Sequence, residues 1–195
     1  DIKAKDWHLS TGFIGVAYLC PMLTEMGYED VAYRLLLQDT YPSWLYSVKN
    51  GATTIWDRWN SYVAETGHME TPAMNSFNHY AYGAIGEWMY RAMAGIEADS
   101  EHPGFKHAIL YPRIGGNLKY TAGKYHSIYG DVGVKWEVQG KQITLTVQIP
   151  VNTTAEIRLD KAKAVLESDG LTFTREADYM AAEAGSGTYH IAFEQ

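Results

Sequence analysis

Residues 51–62 read GATTIWDRWNSY, which sets one carboxylate, Asp57, and one guanidinium, Arg58, between two tryptophans, Trp56 and Trp59. A carboxylate held in a cleft between indole rings can take or give a proton, which is the work of a general base or acid. The chain from Tyr41 to Tyr62 adds Tyr41, Trp44, Tyr46 and Tyr62 to the same neighbourhood. Such side chains offer flat apolar faces with a polar edge. That suits a sugar, whose C–H faces stack on rings while its hydroxyls take hydrogen bonds. Spacing alone favours a plainer arrangement, a solvent-facing Asp57–Arg58 pair beside two core tryptophans, because surface carboxylates are the commoner case.

A second group of polar residues stands at 75–83, NSFNHYAYG. Asn75, Ser76, Asn78 and His79 fall where periodicity predicts the start of a helix, and backbone N–H groups are free there. Asn75 and Ser76 then read as helix caps. His79 is either a satisfied buried imidazole or a contact to a substrate hydroxyl. The other candidate motifs drop out: the chain has no HExxH, GxSxG, Walker loop or GxGxxG. His8, His68, His102, His107, His126 and His190 show no metal-ligand spacing, so no metal and no cofactor is expected. The single cysteine, Cys20, lies in the apolar run VAYLCPML. It reads as a buried thiol, and one cysteine excludes an internal disulfide.

The elements that must position these residues change character near residue 100. Val16, Leu19, Cys20 and Leu23 share one helical face. They predict a helix from a cap at Ser10 or Thr11 to Met26, kinked at Pro21 and stopped by Gly27. Further helices are predicted from Glu29–Asp30 to Gln38, over Ser43–Lys49, and from Ser76 to Ala94 with Gly95 as the stop. In the last, Ala81, Gly83, Ala84 and Gly86 leave room for a neighbouring helix. Beyond residue 104 the pattern alternates. KQITLTVQIPV (141–151) puts Ile143, Leu145, Val147 and Ile149 on one face, and VGVKWEV (132–138) joins it through Gln139-Gly140 as a hairpin. HAILYPR (107–113), TTAEIRL (153–159) and TYHIAF (188–193) add strands, and ADSEHPG (98–104) reads as a linker. The expected fold class is α+β in two segments: an incomplete helical half, residues 1–97, and an antiparallel β-sandwich, residues 104–195.

Composition limits the function classes. With 195 residues and 46% hydrophobic side chains the chain is globular. A net charge of −7 argues against a nucleic-acid partner, which needs a basic surface. No apolar run nears the ~20 residues of a membrane span, and DIKAKDWHLS has no signal-peptide core.

GATTIWDRW, MNSFNHYAYGAIGEWMYR and TGFIGVAYLCPMLTEMGYEDVAYRLL together resemble the C-terminal third of bacterial α-L-rhamnosidases, the inverting glycoside hydrolases of family 78. VQIPVNTTAEIRL and SGTYHIAFE resemble the β-sandwich that closes those enzymes. The resemblance implies that residues 1–97 are the last helices of an (α/α)6 barrel. It implies a rhamnose-containing glycoside or polysaccharide as substrate and the remainder of the barrel as partner. It makes Asp57 the general base, with the general acid on an earlier barrel segment outside this chain. His79 matches the histidine of the NHY motif that contacts rhamnose, beside Asn78, and Trp44, Trp56 and Trp59 match aromatic positions around the sugar. One departure stands out: the family's base is typically Glu, and here it is Asp57. Two other readings stand beside this one, a carbohydrate-binding or structural sandwich module, and a barrel hydrolase for a different sugar.

Overall fold

The computed structural model describes residues 1–69 and 72–195. The chain divides into two compact units, Asp1–Trp88 and Met89–Gln195.

The first unit is helical. Helix α1 spans Phe13–Glu25 and passes through Pro21 without ending there. Its N-terminal cap is Gly12, with no side-chain cap bond, rather than Ser10 or Thr11. The Thr11 carbonyl instead accepts from Trp59 Nε1 at 3.0 Å. Gly27, at φ 78°, supplies the left-handed turn that follows the helix. Helix α2 is Glu29–Leu36, with Glu29 and Asp30 at the positive end of its dipole. Helix α3 is Trp44–Lys49, and Ser43 Oγ caps it by accepting from Tyr46 N at 3.0 Å.

The long helix expected over 76–94 is shorter and composite. Residues 76–80 are not helical; a 3-10 turn covers Ala81–Ala84, helix α4 covers Ile85–Trp88 and a π-helical segment covers Met89–Ala94. The cause is backbone competition. Ser76 O accepts from Asp57 N and His79 N donates to Ile55 O, so this stretch pairs with the 55–57 loop. Asn75 and Ser76 are therefore not helix caps. Gly83 makes room for that loop and not for a helix: a Cβ there would lie 3.2 Å from Ile55 Cγ1.

The second unit holds two five-stranded sheets. One has the order β1-β2-β6-β9-β8, comprising Ile96–Ala98, His107–Leu110, Thr154–Asp160, Tyr179–Ala184 and Thr174–Arg175. The other has the order β3-β4-β5-β10-β7, comprising Tyr120–Ser127, Gly130–Gln139, Gln142–Ile149, Gly187–Glu194 and Ala164–Glu167. Pairing is antiparallel except for β2 with β6, which run parallel. Residues 98–104, read as a linker, lie at the end of β1 and in the β1–β2 connection. Ile143, Leu145, Val147 and Ile149 of β5 all point into the core, as their alternation predicts. They meet Trp136, Ile157, Leu159, Ile191 and Phe193. Each such buried side chain contributes about 1.5–3 kcal/mol, and the indole N–H of Trp136 is satisfied by Met93 O at 2.9 Å.

Gly95 ends the π-helical segment at φ 76°, and a Cβ there would lie 2.1 Å from Pro112 N. Tyr111 N donates to Gly95 O, so backbone packs directly on backbone. Gly95→Ala is expected to destabilise the second unit by about 2 kcal/mol, from the left-handed strain and the contact together. Urea unfolding followed by amide hydrogen exchange of the β-strands measures this; an unchanged midpoint would contradict it.

Candidate active site

Asp57 and His79 sit on two loops of the first unit that pair with each other. Residues 55–57 and 76–79 are joined by Asp57 N to Ser76 O at 2.9 Å and His79 N to Ile55 O at 2.8 Å. Thr54 Oγ1 adds a bond to Phe77 O. The Gly-Ala-Thr-Thr run is thus neither helix nor strand because its neighbours bond sideways, to a loop.

This pairing brings Asp57 and His79 together. His79 Nε2 lies 4.0 Å from Asp57 Oδ1, with the two side chains 32% and 20% exposed. That separation is too long for a good direct hydrogen bond and leaves both atoms able to hold a shared water or hydroxyl. Ala81 N donates to His79 Nδ1 at 3.2 Å, so in the neutral ring the proton sits on Nε2, facing the carboxylate. Phe13, from the first turn of α1, stacks on the imidazole at 4.5 Å with planes 11° apart, and Tyr80 lies parallel on it at 5.4 Å. The ring is clamped from packing as well as from hydrogen bonding.

The tryptophans divide into two groups. Trp59 stacks on Tyr82 at 3.8 Å and 11°, and Trp44 meets Trp59 edge-on at 5.5 Å. Trp44 Nε1 donates to Tyr82 O at 2.9 Å. Trp56 is buried apart from these, edge-on to Phe77 at 5.4 Å and to Tyr62 at 6.3 Å. Asn78 is exposed on its turn, with its backbone N–H held by Ser76 Oγ at 3.0 Å. Arg58 turns away from its sequence neighbour: its Nε donates to Met74 O at 3.0 Å. The expected alternative of an exposed Asp57–Arg58 pair is therefore not what forms.

Sequence reasoning missed Phe13 and Tyr82. Burial first, and the charge of Asp57 next, push the Tyr82 phenol above its ordinary value. It stays a neutral hydroxyl near the carboxylate. The AYG run next to NHY was its available signal; Phe13, 66 positions before His79, had none. Cys20 is buried, and burial raises its thiol to about 12, which makes it inert. Among the described residues no three His, Cys, Asp or Glu side chains gather as a metal site. No helix among them is long and apolar enough to cross a membrane.

Residues 1–93 match the model of the bacterial alpha-L-rhamnosidase six-hairpin glycosidase domain, and residues 95–173 match that of the bacterial alpha-L-rhamnosidase C-terminal domain. An alpha-L-rhamnosidase of Streptomyces avermitilis is 46% identical over 193 residues, covering 97% of this chain and 18% of the relative. One from Alteromonas sp. (strain LOR) is 43% identical over 155 residues, 80% of this chain and 16% of the relative. Among solved structures, the Streptomyces avermitilis alpha-L-rhamnosidase complexed with L-rhamnose superposes with a TM-score of 0.90 at 44% identity, over 98% of this chain and 18% of that one. The alpha-L-rhamnosidase from Dictyoglumus thermophilum superposes with a TM-score of 0.84 at 31% identity, over 100% of this chain and 22% of that one. The chain thus spans about a fifth of the length of these relatives.

Proposed function

We propose that this chain, which belongs to the bacterial α-L-rhamnosidase family, is the part of an inverting α-L-rhamnosidase that carries the general base. The observation that supports this most directly is the Asp57–His79 pair, with its 4.0 Å gap, on an aromatic wall. In the proposed reaction Asp57 takes a proton from a water as that water's oxygen bonds to the anomeric carbon. The glycosidic C–O bond breaks on the opposite face, and the leaving oxygen takes a proton from the general acid, on a barrel segment outside this chain. The two carboxyls stand roughly 6.5–9.5 Å apart, which leaves room for the water. His79 donates from Nε2 to a hydroxyl of rhamnose. Trp59 walls the sugar pocket, with Trp44 buried behind it. Trp56 is buried beneath the Asp57 loop, against Phe77 and Tyr62, and supports that loop. Asn78 stands at the rim of the pocket.

In this reading residues 1–97 are the last helices of an (α/α)6 barrel and residues 104–195 are the β-sandwich domain that follows it in the chain. Helix α1 supports the partner assignment. It is apolar almost all round, yet Phe13, Ile14, Tyr18 and Met22 are exposed, with Ile14 at 85%. A helix of that kind works buried, and the preceding barrel helices are the cover proposed here. The substrate is a terminal α-L-rhamnoside of a glycoside or polysaccharide.

The test is turnover of an aryl α-L-rhamnoside by the complete polypeptide and by residues 1–195 alone. The complete protein is expected to hydrolyse it and the isolated chain is not, since one carboxyl group is missing. Turnover by the isolated chain would sink the two-carboxylate scheme. No turnover by the complete protein, with cleavage of another neutral glycoside, would favour a barrel hydrolase for a different sugar.

A further inference from the structure

We infer that Ser61 and Asn75 form a clasp that positions Asp57 against His79, a role that rests on Asp57 being the base. The two loops of the site are 22 residues apart in sequence at Asp57 and His79, and their backbone pairing is brief. A second layer of side-chain bonds lies directly beneath it. Ser61 is fully buried and uses its hydroxyl in both directions. It accepts from Arg58 N at 3.0 Å, the peptide N–H immediately after Asp57, and donates to Asn75 Oδ1 at 2.6 Å. Asn75 Oδ1 also accepts from Ser76 N at 2.9 Å, and Asn75 Nδ2 donates to Ser61 O at 3.0 Å. Ser76 O in turn accepts from Asp57 N. The peptide N–H groups on both sides of the Asp57 Cα are therefore fixed from one centre. Arg58 Nε to Met74 O closes the same junction from the outside.

The geometry of this ring sets its function. Removing the buried Ser61 hydroxyl strands the Arg58 N–H and leaves Asn75 Oδ1 with one of its two donors. The loop relieves this by shifting, and the shift carries Asp57 with it. A displacement of about 1 Å at a base costs on the order of 100-fold in the chemical step. Binding of the sugar, spread over many contacts, is much less sensitive.

The experiment measures kcat and KM for an aryl α-L-rhamnoside in the complete protein, for Ser61→Ala, Asn75→Ala, their double variant, Asn75→Asp and Asp57→Asn. The expected result is a fall in kcat of about 10–100-fold in each alanine variant, with KM changed by less than about threefold. The double variant falls no further than the worse single one, because one ring is broken in each case. Asn75→Asp keeps both acceptor bonds at Oδ1 but loses the donor to Ser61 O, so it recovers only part of the loss. If Ser61→Ala does not fold, the two Asn75 variants carry the same comparison. The inference is overturned if kcat per folded molecule, counted by circular dichroism, is unchanged in the alanine variants, or if the losses in the double variant multiply. Asp57→Asn tells apart the two ways of failing. Inactive Asp57→Asn with normal clasp variants removes only the clasp; active Asp57→Asn removes the base assignment and the clasp together.

Discussion

Asp57→Asn in the complete enzyme is expected to lower kcat by about 1,000-fold or more, within the range that a positioned general base contributes. Asn keeps the size of the side chain, so packing against the loop is retained, and the backbone bond from Asp57 N to Ser76 O is untouched. What is lost is the ability to accept a proton from the attacking water. KM should move little, because the ground-state sugar is held by other groups. Asp57→Glu separates position from chemistry. It retains a base and advances it by about 1.5 Å, a displacement large enough to cost on the order of 100-fold in a site built around the shorter acid. Its rate should fall between wild type and Asp57→Asn. A rate for Asp57→Asn equal to wild type would make Asp57 structural.

His79→Ala should lower kcat/KM by about 10-fold, the scale set by losing one hydrogen bond to a neutral hydroxyl. Three features make the imidazole specific and not replaceable by a space-filling group. Ala81 N–H holds Nδ1, which leaves Nε2–H as the donor. Phe13 and Tyr80 lie parallel to the ring, which restricts its rotation. Nε2 faces Asp57 Oδ1 across 4.0 Å. His79→Gln can place an amide N–H near the position of Nε2, so it should recover part of the loss, while His79→Phe keeps the stack and should recover none. Equal activity in His79→Phe and wild type would reduce His79 to a packing residue. Kinetics on an aryl α-L-rhamnoside for all three variants decides this.

The sequence carried the sandwich core well and the loops of the site less well, for physical reasons. Strands β4, β5, β6 and β10 have one face in the core, so their alternation is plain. β9, YMAAEA, reads locally as helix-forming, since Ala, Met and Glu favour helices. It is a strand because β6 pairs with it and because Ala182 and Ala184 are small enough to be buried against the other sheet. β3 is largely exposed and polar, so its pairing with β4 leaves little apolar signal. In the first unit, periodicity suggested a helix from Ser76. The backbone of 76–79 is committed instead to residues 55–57, a long-range pairing that no local pattern encodes. The same pairing joins Asp57 to His79. Each was legible as a candidate by residue type, but their closeness was not. Arg58 shows the reverse error: adjacency suggested a partner for Asp57, while the loop turns its guanidinium to Met74 O.

The base assignment is tested most directly by restoring a nucleophile where the carboxylate has been removed. Asp57→Gly in the complete enzyme, assayed on an aryl α-L-rhamnoside with added sodium azide, should regain turnover as azide rises. Azide attacks the anomeric carbon directly and needs no base, so the product should be β-L-rhamnosyl azide, inverted at that carbon, with the aryl group released. Nuclear magnetic resonance of the product reads the configuration. An α-configured azide, or hydrolysis by Asp57→Gly at the wild-type rate without azide, would contradict Asp57 as the water-activating base of an inverting reaction.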